Sequence, residues 1–172
     1  MRRSGARCRS EVVTGYFALA PRPLQPEDSQ GTRTLLMGAL GVTPYIDRAI
    51  EVLALAERGH DPEHKALVIA RDGTVAGLAL FGPIAGTAHG MRLHVAVLAP
   101  GVDAEDVGDR LLTAVANAAR ADGATYLLAE LPDDPALGTV VALLRHHGFK
   151  QEARIPDFYR DGVALTLSRL PL

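Results

Sequence analysis

The chain has 172 residues, 48% of them hydrophobic, with 18 basic residues set against 20 acidic ones for a formal net charge of −2. That length and apolar content suffice for one domain whose core needs neither disulfides nor a metal. The near-balanced charge, spread along the chain, lacks the footprint of a nucleic-acid or membrane-surface partner, and no run approaches the roughly 20 apolar residues of a membrane span.

Residues 1 to 13 are basic, small and aperiodic, and are expected to form a disordered leader before a domain over residues 14 to 172. Cys8, the single cysteine, lies there without a thiol to pair with, which fits a reducing, cytoplasmic setting and excludes a CxxC metal site. Basic residues from Arg2 to Arg9 followed by Val12 to Ala20, ending Ala18-Leu19-Ala20, also have the outline of a signal peptide. Thr14, Gly15, Tyr16 and the alternation of the segment instead favour a first strand, Tyr16 to Leu24. Pro21 and Pro23 confine that strand to an edge or a bulge.

Pro26-Glu27-Asp28 opens a helix through about Leu40. A second helix is punctuated by Thr43 as N-cap, Pro44 at the first helical position, Ile46, Ile50 and Leu53 on one face, and Gly59 past its end. Two apolar runs, Ala66 to Ala70 and Val75 to Phe81, flank Asp72-Gly73, a type I′ hairpin signature. A glycine-rich loop over 82–90 leads to a strand from Met91 to Ala99. A third helix follows from Asp103 to about Ala121, with Val107, Leu111, Leu112 and Val115 on one face. A strand from Thr125 to Leu131, a helix carrying Leu137, Val140, Val141 and Leu144, and two strands near Gln151 to Ile155 and Val163 to Ser168 complete the chain. The class is therefore α/β, with about seven strands and four helices.

This order resembles the GNAT fold of acetyl-CoA-dependent N-acetyltransferases over roughly residues 16 to 170, which implies a mixed, mostly antiparallel sheet with helices on both faces, and three segments sharpen the likeness. Val97-Leu98-Ala99-Pro100 followed by Asp103-Ala104-Glu105-Asp106-Val107-Gly108 is similar to the family's cofactor loop, with Gly108, Leu111 and Leu112 matching. Asp103 stands where the family has Gln or Arg, and Asp106 where it has the first Gly. The resemblance implies that the backbone of Val95, Ala96 and Val97 holds the pantetheine arm of acetyl-CoA, and that the loop over 103–108 turns its N–H groups toward the pyrophosphate. Four acids, at 103, 105, 106 and 109, oppose an anion there. A helix start capped by Asp103, with acids in its first turn, explains the same residues without a ligand.

The second segment is Leu128-Ala129-Glu130, 18 residues before Gly148, where the resemblance implies a general base. A solvated strand-end carboxylate is the plain alternative. The third is Val140 to Phe149, in which Leu144 replaces the family's tyrosine; Tyr159, in Ile155-Pro156-Asp157-Phe158-Tyr159, is then the substitute proton donor to the leaving thiolate, or a packing aromatic. His94, inside its strand, is a further candidate base that reads equally as a packed histidine. His146 and His147 suit a helix C-terminus, and His60 and His64 lack metal geometry. The function implied is acetyl transfer to a primary amine of a small molecule or peptide, without metal, nucleic acid or membrane. A noncatalytic binding module is the alternative, and an exposed edge strand leaves room for a homodimer.

Overall fold

The structure, a computed structural model, describes residues 20–58 and 63–172. The leader with Cys8, residues 16–19 of the expected first strand, Gly59 and His60 lie outside them. Seven strands form one sheet in the order β1-β2-β3-β4-β5-β7-β6, antiparallel throughout except for the parallel pair β4 and β5. In chain order the strands are β1 (Arg22–Pro23), β2 (Lys65–Arg71), β3 (Thr74–Pro83), β4 (Gly90–Leu98), β5 (Tyr126–Pro132), β6 (Lys150–Arg160) and β7 (Val163–Pro171). The helices are α1 (Ser29–Leu40), α2 (Ile46–Glu57), α3 (Ala104–Ala121) and α4 (Gly138–His146). Among the described residues no helix is long and apolar enough to cross a membrane.

Period-two alternation divides the core between the two faces of the sheet. Ile69, Ala79, Phe81 and Leu127 pack with Val107, Leu111 and Val115 of α3 and Leu143 and Leu144 of α4. Val68, Leu78 and Leu80 pack with Leu36 and Leu40 of α1 and Val52 and Leu53 of α2 on the other face. Both layers are needed because a sheet buried on two faces must be apolar on both.

The proline-bearing first strand is at the sheet edge, where Arg22 and Pro23 pair with Val68 and Leu67. The hairpin between β2 and β3 turns at Asp72 and Gly73 with φ of 49° and 75°, the left-handed pair that a type I′ turn requires.

Three boundaries differ from expectation. Thr43 does not cap α2: its hydroxyl donates to the Leu40 carbonyl (2.7 Å) and accepts from Tyr45 N–H (3.4 Å), closing the end of α1. The helix therefore begins at Ile46, and Pro44-Tyr45 form a turn on the surface of the domain. The expected loop over 82–90 is shorter, because Ile84 N–H bonds Gly90 O (2.9 Å) and extends the β3–β4 ladder to Pro83 and Met91. Finally, β6 continues past Ile155 to Arg160 through a break in register. There Asp157 takes φ +53° and accepts the Gly162 N–H (2.8 Å).

Candidate active site

Two local events open the sheet. Opposite β3, Leu80 pairs with Val95 and Phe81 with Leu93, so His94 is an extra residue that bulges β4. The bulge reverses the strand's parity: Met91 and Leu93 face α3 before it, and Ala96 and Leu98 do so after it. At the same point β4 loses β5. Among the described residues, Gly90 to Leu93 pair with Tyr126 to Ala129, whereas Glu130 to Pro132 pair with β7 alone.

The result is a wedge-shaped seam whose edge is unpaired backbone. Ala99 N–H donates to Ala76 O (2.8 Å), so Val97 and Val95 belong to the hydrogen-bonded pairs with β3. The N–H and C=O groups of Ala96 and Leu98 therefore point away from β3, into the seam. Such groups favour an extended polar ligand that completes the ladder.

The seam widens into a cleft of about 790 Å³, lined by β4 from His94 to Leu98, the turn after it, Tyr45 and Arg48, Glu130 to Pro132, and Tyr159 and Arg160. All three candidate catalytic side chains, Glu130, Tyr159 and His94, lie on this one cleft, as do Val95, Ala96, Val97 and Ala104 from the expected cofactor set. Glu130 is a third exposed, and its Oε1 is 2.8 Å from Arg92 Nη2. Arg92 was not singled out in the sequence. Its Nε is buried and has no hydrogen-bond partner among the described residues, so the contact that places its guanidinium is the one to Glu130.

Tyr159 stays on the bulged end of β6, 44% exposed. Burial first, and the Glu130 charge second, push its phenol pKa up, which keeps it in the proton-bearing form. Its ring meets Tyr45 edge-on at 6.3 Å. The Tyr45 hydroxyl donates to Asp134 (2.9 Å), whose carboxylate also accepts from Ala136 N–H and from Arg160. Tyr45 is thus a fixed strut between the α1–α2 turn and the wall of the cleft, a role that sequence reading missed because Asp134 is 89 residues away.

His94 stacks on His64 with ring centres 5.6 Å apart. Burial, then His64, Arg92 and Arg48, lower its pKa to about 4, so the imidazole is neutral at physiological pH. Above pH 6.5 both folded and unfolded chains carry neutral His94. Between 6.5 and about 4 only the unfolded chain takes the proton, and stability falls as the pH falls. The expected loss, after allowance for partial exposure, is about 2 kcal/mol. Urea unfolding across this range should show His94→Asn with a flatter profile than the parent, and parallel profiles would refute the buried neutral imidazole.

The remaining candidates also have local roles in α3. Asp103 is an N-cap whose Oδ1 accepts from Glu105 N–H and Asp106 N–H, both at 3.0 Å. These are two of the N–H groups expected to face a pyrophosphate. Asp106 pairs with Arg110 one turn on, and Asp109 with His147 of α4. Val107 is 1% exposed and packs in the core. A Cβ on Gly108 would lie 2.3 Å from Leu143 Cδ1, so this glycine is there to let α3 and α4 approach. Leu144, in the tyrosine's place, is buried in the core. Among the described residues no group of three or more His, Cys, Asp or Glu side chains is arranged to hold a metal ion.

No protein-family model matches the chain, and no curated protein matches it in sequence. Solved structures do. A GNAT-family protein from Desulfovibrio desulfuricans is similar over 90% of this chain and 99% of its own, with TM-score 0.78 and 26% identity. A Salmonella typhimurium protein solved with acetyl-CoA (TM-score 0.68, 20% identity, 90% and 94% covered) shares the fold. So does the ribosomal-protein-alanine N-acetyltransferase of Brucella melitensis (TM-score 0.69, 21% identity, 90% and 100% covered). With its seven-stranded mixed sheet opened between β4 and β5, the chain belongs to the GNAT superfamily of N-acetyltransferases.

Proposed function

We propose that the protein transfers the acetyl group of acetyl-CoA to a primary amine of a small molecule or peptide by direct attack within the cleft. The observation that carries this reading is the meeting of an unpaired β4 edge with Glu130 and Tyr159 on one cleft. The thioester supplies an activated acyl carbon. An extended pantetheine arm fits the free N–H and C=O groups of Ala96 and Leu98, and an N–H of this edge can polarise the thioester carbonyl.

Glu130 takes a proton from the acceptor ammonium, directly or through water. The amine nitrogen then bonds to the acyl carbon, the carbon–sulfur bond breaks, and the thiolate takes its proton from Tyr159, which recovers one from the nitrogen of the new amide. Positioning two reactants in one cleft contributes much of the rate, so no nucleophilic side chain is needed. Incubation with acetyl-CoA and a panel of primary amines should release free thiol only when an acceptor is present. Absence of acetyl-CoA binding by titration, together with absence of thiol release, would sink the proposal.

A further inference from the structure

A CoA thioester has a pantetheine end and a nucleotide end, and the cleft receives them unequally. The pantetheine end finds free backbone groups on β4. At the nucleotide end, two first-turn N–H groups of α3, those of Glu105 and Asp106, already bond the Asp103 carboxylate. Any diphosphate entering there must displace one anion from a turn that also bears Glu105 and Asp106. The cation touching this turn brings no relief, because Arg110 is held by Asp106.

We propose that this protein recognises its acyl donor through the pantetheine arm and draws almost nothing from the diphosphate, so that pantetheine thioesters are donors on nearly equal terms with CoA thioesters. The inference rests on the acyl-transfer reading above. The transfer itself is unchanged, since the reacting thioester and the departing thiol are common to both donors.

The test is titration of the full chain with CoA, pantetheine and adenosine 3′,5′-bisphosphate. Pantetheine should bind within about tenfold of CoA, and the bisphosphate should not compete with CoA. A larger gap, or competition by the bisphosphate, would overturn the inference while leaving acyl transfer standing. Binding of neither CoA nor pantetheine would remove both. Asp103→Ser supplies a second arm, because serine caps the helix without charge. It should tighten CoA by about tenfold and change pantetheine by less than about twofold, the repulsion relieved acting on the diphosphate alone. CoA affinity that is unchanged or weaker in D103S would place Asp103 within a working phosphate site and overturn the proposal.

Discussion

Glu130→Gln is expected to lower kcat by about 10²- to 10⁴-fold, the range that a positioned general base contributes. Glutamine keeps the shape of the side chain and an oxygen that can still accept from Arg92, so the fold should lose little. What it removes is the capacity to take a proton. Two readouts separate this from a structural role: the melting temperature should move by only a few degrees, and KM for acetyl-CoA should stay within about twofold while kcat falls. Full activity in E130Q would transfer the base assignment to His94, whose lowered pKa of about 4 leaves the imidazole lone pair free at neutral pH. Full activity in both E130Q and H94N would leave deprotonation to solvent.

A second large effect is expected far from the cleft. Asp28 is completely buried where the 3₁₀ turn over Pro26–Asp28 enters α1. Its two oxygens meet Arg22 Nη1 and Nη2 at 2.6 and 2.9 Å, and Gln25 N–H donates to Oδ2 at 2.9 Å. The paired guanidinium holds the carboxyl below its usual pKa against the opposing effect of burial. Arg22→Ala leaves that charge without its partner and should cost about 3 kcal/mol at pH 7, or roughly 10 °C in Tm.

The pH dependence gives the check. A carboxyl whose folded pKa is depressed contributes stability above its unfolded value of 3.8 and loses it as the pH falls through the folded value. The parent and R22A should therefore converge in acid. A gap of equal size at pH 7 and well below pH 3.8 would mean that Arg22 contributes through packing alone.

The same buried pair shows where sequence reading runs out. Pro21 and Pro23 revealed an edge strand, since proline lacks the N–H that an inner strand must donate. Nothing in their neighbourhood marks Asp28 as a buried anchor rather than one more acid at a helix start. Its burial follows only when the edge strand folds back across the turn. Glu105 and Asp106, in the first turn of α3, are chemically similar, yet Asp106 pairs within its own helix, with Arg110.

Local rules carried most of the architecture, because turn chemistry and apolar period are properties of neighbouring residues. Asp72-Gly73 specifies its hairpin by backbone conformation, Val107, Leu111 and Val115 specify one face of α3, and their order along the chain brought the GNAT resemblance with Glu130 and Tyr159 attached. The cleft itself was decided by contacts between distant segments. The bulge at His94 depends on how β3 registers against β4, the partnership of Arg92 with Glu130 on where β5 leaves β4, and the bracing of Tyr45 on an aspartate 89 residues away. Alternation along a strand shows which residues share a face, but the register between strands is set by the packing of both helical layers, and that packing determines which polar groups meet.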